Sequence, residues 1–212
     1  ERNGGFGMIY TTLAPFYDLL VKDEEASRMW ADYTERFVKG KKILELACGS
    51  GELTLMLAKD GYEITATDLS EEMLKEAMVK EGAELVRWYP LNMLDLEETD
   101  TYDAIICYCD SINYLQNRMQ LQQVLCRVHK ALKKDGLFLF DMHSTDRKEA
   151  FEEEYIEEGY LDDVAYQWTI RYDEPYLYHC FTFYDKNGKM VQEQHQQIIY
   201  EPDETEADIA NA

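Results

Sequence analysis

Basic residues are scarce in this chain of 212 residues, where 21 Lys and Arg stand against 43 Asp and Glu, a formal net charge of −22. Negative charge of this size disfavours a nucleic-acid backbone or an anionic membrane surface as partner, because both attract cations. No apolar run approaches the roughly 20 residues that span a bilayer, and no signal segment opens the chain. We therefore expect no nucleic-acid partner, no membrane partner and a cytoplasmic location.

Cysteine and proline are also few. The five cysteines form no C-x-x-C pair and no zinc-like spacing, so we expect no metal site. Their odd number and their position inside apolar segments favour reduced thiols. Hydrophobic residues nevertheless make up 46% of the chain and aromatic residues 13%, which is enough for a packed core. The length fits one domain with an elaboration better than two full domains.

Short apolar strands alternate with amphipathic helices through the middle of the chain. The strands are expected at 42–46, 63–67, 85–89, 103–109 and 136–141, with a helix at 118–134 before the last. This alternation predicts a doubly wound α/β fold, a mostly parallel sheet whose ligand site lies beyond the carboxyl ends of the strands. We assign residues 40–148 to this core and residues 1–39, helical from residue 8, to a segment that precedes it.

The last part of the chain has a different pattern. Residues 149–163 are strongly acidic and are expected to form a solvated helix and turn. Three later segments, 164–172, 176–184 and 190–200, alternate in the manner of β-strands and predict an added three-stranded antiparallel β meander. Such a meander is too small to stand alone. We therefore expect 149–212 to pack beside the core, on the substrate side.

The most informative segment is a glycine turn directly after the first strand, Gly49-Ser50-Gly51, followed at once by a helix. Glycines allow close approach of a ligand to the backbone, and a helix N-terminus offers free N–H groups. Seventeen residues after Gly51, the second strand ends at Asp68. An acid at this position can accept hydrogen bonds from both hydroxyls of a ribose. The pattern predicts a nucleotide-like ligand.

Two residues separate this pattern from that of dinucleotide oxidoreductases. The third glycine of G-x-G-x-x-G is replaced by Thr54. Glu45 lies inside the first strand, where its carboxylate would repel a pyrophosphate but suits the ammonium of an amino acid. The residues therefore favour an adenosyl compound with an amino-acid tail over a nicotinamide dinucleotide.

Three motifs in this order resemble those of class I S-adenosylmethionine (SAM)-dependent methyltransferases. They are LELACGSG at 44–51, TDLSEEML at 67–74 and LKKDGLF at 132–138. The chain is similar in particular to a subgroup of small bacterial methyltransferase-domain proteins, through Tyr17-Asp18, 110–114 and 140–144. The resemblance covers residues 8–200 and is far more specific for the cofactor than for the substrate. It implies a Rossmann-like fold and methyl transfer from SAM, with S-adenosylhomocysteine (SAH) as product.

The resemblance also implies which residues bind the cofactor. They are Tyr17, Glu45, Ala47, Cys48, Gly49, Ser50, Gly51, Asp68, Leu69, Met73, Asn92, Met93, Cys109 and Asp110. By this comparison Glu45 lies near the methionyl ammonium, residues 47–51 surround the methionine part and Asp68 holds the ribose. Leu69 and Met73 lie against the adenine. Cys109 and Asp110 lie beside the transferable methyl, and the N-terminal helical segment, residues 1–39, closes over the cofactor through Tyr17.

The chain departs from the family pattern at two places. After the third strand the family usually has an acid for the adenine amino group, where this chain has Asn92-Met93; Asn92 can accept that hydrogen bond, and Asp95 is the alternative. Family members usually continue past the meander with a helix and two strands, whereas Glu201–Ala212 is short, acidic and poor in strand formers. A truncated chain, residues absent from this sequence and a smaller sheet are the alternatives.

Methyl transfer from a sulfonium needs alignment and exclusion of water rather than a metal. The expected acceptor is an N, O or C nucleophile of a small molecule or, less favoured, of a protein. If that nucleophile must lose a proton, the candidate bases are Asp110, His143 and Tyr17, in this order, and the other histidines are expected to have no catalytic role. The competing hypotheses are a non-catalytic SAM-binding module and a nicotinamide-dependent oxidoreductase.

Overall fold

The structure is a computed structural model and describes residues 23–161, 163–184 and 188–212. Of the N-terminal segment predicted to be helical, residues 8–22 lie outside the described residues, and Tyr17 lies among them. The described part forms helix α1, Glu24–Phe37. Asp23 caps this helix, because its carboxylate accepts a hydrogen bond from the backbone N–H of Ala26.

A five-stranded parallel sheet forms the core, as predicted. Its strands are β1 Lys42–Leu46, β2 Glu63–Asp68, β3 Arg87–Pro90, β4 Tyr102–Cys107 and β5 Leu132–Phe140, and the helices between them are α2 Glu52–Lys59, α3 Glu71–Met78 and α4 Arg118–Ala131. The strand order is β3-β2-β1-β4-β5, and every neighbouring pair is parallel. The order reverses between β1 and β4, which is where doubly wound sheets bind ligands.

Successive residues of the central strands point to opposite faces of the sheet and enter two hydrophobic clusters. Leu44, Leu46 and Ile105 pack with the buried face of α4. Ile43 and Ile106 pack on the other face with residues of α1 and α2. Because both faces are covered, the central strands are continuous hydrophobic runs, which made them recognisable in the sequence.

Several boundaries differ from the expectation, and β4, expected to reach residue 109, ends at Cys107. The helix expected to reach residue 134 ends at Ala131, and β5 starts at Leu132, which pairs with Tyr102. The third strand starts two residues later than expected, because a 3-10 turn occupies Ala83–Leu85. The indole N–H of Trp88 donates to the carbonyl of Ala83 at 2.9 Å and stabilises that turn.

The antiparallel sheet has four strands in the order β6-β7-β8-β9, so the prediction of three strands was wrong. The strands are β6 Tyr155–Leu161, β7 Val164–Asp173, β8 Tyr176–Tyr184 and β9 Met190–Ile198. The acidic segment expected as a helix and turn contains the short helix α5, Asp146–Ala150, and then β6.

The acidic composition of β6 concealed its strand character. One face of β6 is exposed to solvent, where charged side chains are tolerated. Because β6 is an edge strand, this charge also discourages pairing with a further strand. On its other face Glu157 accepts a hydrogen bond from the hydroxyl of Tyr166 at 2.8 Å. Gly159 leaves room for the same ring, since a Cβ there would lie 2.8 Å from Tyr166 Cε1.

After β9 the chain forms helix α6, Pro202–Ala210, against α4. Arg118 donates from Nε to Asp208 Oδ2 at 2.7 Å and joins the two helices. In the part of the chain that the structure describes, we find no helix with the length and apolar character needed to cross a membrane.

Candidate active site

A cavity of about 410 Å³ opens at the carboxyl ends of β1, β2 and β4, next to the position where the strand order reverses. Most of the cofactor-binding residues predicted from the sequence line it. They are Glu45, Ala47, Cys48, Gly49, Ser50, Asp68, Leu69, Met73, Asn92, Met93 and Cys109. Gly51 is outside this lining, and Tyr17 lies outside the described residues.

The turn after β1 is built from left-handed backbone. Ala47, Gly49 and Gly51 have φ values of 54°, 56° and 76°. Gly51 precedes α2 as its N-cap, and a Cβ at this position would lie 2.6 Å from Cη2 of Trp88. Gly51 therefore permits both the left-handed conformation and the contact with Trp88, and so shapes the turn without lining the cavity.

Asp68 joins the end of β2 to this turn. Its Oδ2 accepts from the backbone N–H of Gly49 at 2.8 Å, and its Oδ1 accepts from that of Ser70 at 2.8 Å. Burial raises the pKa of Asp68 above its ordinary value. Each carboxylate oxygen has two lone pairs, so the side chain has further acceptor capacity for a ligand in the cavity.

Glu45 is a second buried carboxylate in the cavity wall, with 5% of its surface exposed. Its Oε2 accepts a hydrogen bond from the hydroxyl of Thr54 at 2.6 Å. Burial raises the pKa of Glu45 to about 7, against the opposing effect of that hydrogen bond. The residue that replaces the third glycine of the dinucleotide motif is thus the partner of the carboxylate that would repel a pyrophosphate.

The charged side chains of the described lining are all carboxylates. They belong to Asp23, Glu45, Glu52 and Asp68, and no Lys, Arg or His is found among the described residues that line the cavity. Such a wall attracts a cation and repels a doubly charged pyrophosphate. Leu69, Met73 and Met93 supply apolar surface in the same cavity.

Helix α1 forms a wall of the cavity through four residues that the sequence analysis did not name, Asp23, Ala26, Ser27 and Trp30. The indole of Trp30 stacks on the ring of Tyr108, with centroids 4.4 Å apart. The hydroxyls of Tyr108 and Thr34 lie 3.0 Å apart, which fixes α1 at the end of β4. The helical spacing of aromatic residues in α1 predicted a helix, and the resemblance implied that this segment closes over the cofactor.

The two residues considered for the adenine side lie in different surroundings. Asn92 lines the cavity, and its Oδ1 accepts from the backbone N–H of Leu94 at 3.0 Å. Asp95 is exposed and lies outside the described lining. The structure therefore places Asn92, and not Asp95, at the cavity.

Two of the predicted catalytic residues, Asp110 and His143, lie close to each other but outside the described cavity lining. His143 Nδ1 is 3.1 Å from Asp110 Oδ1, and His143 Nε2 is 2.8 Å from Gln197 Oε1. The backbone N–H of Asp110 donates to Asp141 Oδ1 at 3.1 Å. These contacts join the ends of β4 and β5 to β9. Cys109 and Asp110 have φ values of 58° and 57°, so left-handed backbone also follows β4.

Comparison with known proteins identifies the class. A methyltransferase-domain family matches residues 43–136. The chain is 34% identical over 211 residues to a candidate methyltransferase of Geobacillus sp. (strain WCH70), covering 93% of this chain and 85% of the relative. It is 32% identical over 215 residues to a candidate methyltransferase, YqeM, of Bacillus subtilis (strain 168), covering 96% and 85%.

A solved structure shows the same fold. An S-adenosylmethionine-dependent methyltransferase from Clostridium acetobutylicum superposes with a TM-score of 0.78 at 26% identity, covering 95% of this chain and 86% of that one. The fold and the sequence relatives together point to one class of protein, the class I SAM-dependent methyltransferases. This chain belongs to that family and is a methyltransferase, which confirms the resemblance seen in its motifs and sets aside the oxidoreductase hypothesis.

Proposed function

We propose that this chain binds SAM in the cavity described above and transfers its methyl group to an N, O or C nucleophile of a small molecule. The observation that carries the proposal is the all-carboxylate wall, with Asp68 and Glu45 at its buried end. SAM carries a sulfonium and an ammonium against one carboxylate, so its net charge is positive and complements this wall.

Asp68 would hold the ribose, because its carboxylate is fixed by two backbone N–H groups and has acceptor capacity left. Leu69 and Met73 follow it in the chain and offer apolar surface to the adenine. Asn92 would accept from the adenine amino group through the second lone pair of Oδ1.

Glu45 would face the ammonium of the methionine part, with residues 47–51 surrounding that part. A cation next to Glu45 favours its ionised form, so binding would lower the raised pKa of this carboxyl. The bound cofactor supplies an electrophilic methyl group. The side chains of Cys109 and Trp30 would limit the entry of water to the cavity.

The cavity volume lies within the range of about 300–1,000 Å³ found for small-ligand pockets, which suits a ligand of the size of SAM. For the acceptor, charge favours a small molecule over a nucleic acid. The net charge of −22 opposes an approach of RNA or DNA.

Calorimetric titration of SAM, SAH and NADH tests the proposal. We expect binding of the two adenosyl ligands and none of NADH. In Asp68→Ala we expect affinity for SAH about 10- to 100-fold weaker, as for loss of hydrogen bonds to a charged group. Glu76→Ala is the matched control, because Glu76 is an exposed acid on α3 outside the cavity lining.

Asp68 also accepts two backbone N–H groups, so thermal melting must show that the variant is folded, and Asp68→Asn provides a milder substitution. A folded wild-type protein without affinity for SAM or SAH would overturn the proposal. Equal affinities of wild type and a folded Asp68→Ala would overturn the role of Asp68 alone.

A further inference from the structure

A hydrogen-bonded series of polar side chains runs from the antiparallel sheet to the cavity wall. The hydroxyl of Tyr114 lies 2.7 Å from Nδ1 of His195, and Nε2 of His195 lies 2.6 Å from Oε1 of Glu193. His195 and Glu193 are 3% and 8% exposed. Tyr114 lines the cavity next to Cys109 and Ser111, so the series ends at the proposed site of methyl transfer.

The position of these groups is costly for the fold. Glu193, His195 and Gln197 occupy three successive inward positions of β9, where apolar side chains would pack the sheet at lower desolvation cost. Gln197 belongs to the contacts of His143 described above. Glu193 and His195 instead lead to Tyr114, at the end of the 3-10 turn Ser111–Tyr114 that follows β4.

The hydrogen-bond partners give this series of side chains a direction. With Glu193 ionised, its carboxylate only accepts, so Nε2 of His195 carries the hydrogen that is donated to Glu193. In a neutral imidazole the other nitrogen then has a lone pair, and Nδ1 accepts the hydroxyl proton of Tyr114. A phenol oxygen also has acceptor capacity of its own, and the phenol proton here points towards His195.

We propose that Tyr114 is a catalytic residue that removes a proton from the methyl acceptor, with His195 as the group that receives the phenol proton. Glu193 is a positioning residue that fixes the imidazole and balances its charge. This inference rests on the proposed function and deepens it, because it names an acceptor that carries an O–H or N–H group. Tertiary amines and thioethers have no such proton and are excluded as acceptors.

The step balances in atoms and charge. The bond between the methyl carbon and the nucleophile forms while the carbon–sulfur bond breaks and leaves its electron pair on sulfur. The proton of the nucleophile passes to the Tyr114 oxygen, and the phenol proton passes to His195 Nδ1. The resulting imidazolium lies beside the carboxylate of Glu193. Return of the proton to water after product release restores the starting state.

Nuclear magnetic resonance of ¹⁵N-histidine-labelled protein tests the hydrogen bonds of His195 without any need for turnover. The protein has 4 histidines. We expect His195 to carry its proton on Nε2 and to accept a hydrogen bond at Nδ1. Tyr114→Phe should shift the His195 Nδ1 resonance, whereas Tyr184→Phe, an exposed tyrosine at the end of β8, should not. A proton on Nδ1, or an unchanged resonance in Tyr114→Phe, would overturn the inference.

Kinetics provide the second measurement, with methyl-labelled SAM and a defined mixture of amino sugars, phenols and amino acids. For any acceptor that wild type methylates, Tyr114→Phe should lower kcat by about 10²- to 10⁴-fold, the usual contribution of general base catalysis. His195→Gln should have a similar effect, and His129→Gln, at an exposed site on α4, should have none.

Titration with SAH separates failure of this inference from failure of the proposed function. If the function is wrong, wild type does not bind SAH. If only the relay is wrong, wild type and Tyr114→Phe bind SAH alike and kcat of the variant equals that of wild type. Glu193→Gln should keep the His195 tautomer while lowering kcat, since its carbonyl still accepts from Nε2 but carries no charge. A kcat equal to wild type would overturn the role of Glu193.

Discussion

Thr54 donates a hydrogen bond of 2.6 Å to Glu45 across the turn between β1 and α2. Thr54 is fully buried, and its hydroxyl is the group that opposes the rise in the pKa of Glu45. The position where a dinucleotide-binding protein has its third glycine therefore holds, in this chain, the carboxylate that we propose faces the ammonium of SAM.

Replacement of Thr54 by Val keeps the shape of the side chain and removes the donor. We expect the pKa of Glu45 to rise above its value of about 7, so that less of the carboxylate is ionised at neutral pH. The affinity for SAH at neutral pH should fall by about tenfold for each unit of that rise. Calorimetry across the neutral pH range measures it, with Thr54→Ser as control. A pH profile identical to wild type would contradict the role of this hydrogen bond.

Glu45→Gln should change how stability depends on pH. The pKa of Glu45 in the folded state, about 7, lies above its ordinary value of 4.5, so the folded protein binds more protons between these values and loses stability as pH rises. Glu45→Gln lacks this loss. Its free energy of unfolding relative to that of wild type should therefore increase by up to about 3 kcal/mol between acidic and neutral pH. Urea unfolding measures the difference, and a constant difference at all pH values would refute the prediction.

Trp30 holds α1 over the cavity by stacking on Tyr108. Trp30→Leu should lower the free energy of unfolding by at least the roughly 1 kcal/mol that an aromatic pair contributes beyond burial, and should weaken SAH binding. Denaturant titration and calorimetry give the two values. Met29→Ala is the control on the same helix, because Met29 is 67% exposed. A double-mutant cycle with Tyr108→Leu should show the two effects to be non-additive.

Asp208 joins α6 to α4. Hydrogen bonds from Arg118 and then Gln122 hold the pKa of Asp208 below its ordinary value. These hydrogen bonds therefore stabilise the fold at pH values above the ordinary pKa of Asp208, and the stabilisation is lost as pH falls through the pKa of Asp208 in the folded state. Asp208→Asn should accelerate amide hydrogen exchange within Pro202–Ala210 and leave SAH affinity as in wild type. Exposed Glu206, as Glu206→Gln, is the control; equal exchange in both variants would oppose this role.

The sequence predicted those parts of the fold that depend on residues close together in the chain. The central strands β1, β2 and β4 are buried on both faces and are therefore continuous apolar runs. The glycine turn and Asp68 have fixed positions relative to these strands, so their meeting at one edge followed from the parallel topology. Strand β6 escaped prediction because the charge of an edge strand resembles that of a solvated helix.

Contacts between distant parts of the chain were not predictable in this way. His195 lies 81 residues from Tyr114, and the packing of β9 against the 3-10 turn after β4 brings them together. His143 was favoured over His195 because it follows β5, yet it lies outside the described cavity lining. The available signal was a glutamate and a histidine two residues apart on one strand, which places both on the same face. The glutamines around them made it hard to tell from the sequence which face points inward.

The carboxylates of the cavity wall also affect what happens after the reaction. Methyl transfer removes the sulfonium charge, so the product carries one positive charge fewer than the substrate while the wall remains negative. If the proposed function holds, we therefore expect the product to be held less strongly than the cofactor, because the charges that attract the sulfonium no longer have a partner. Exchange of used for fresh cofactor should accordingly slow when an acid of the wall is neutralised, even where the acceptor pocket is unchanged.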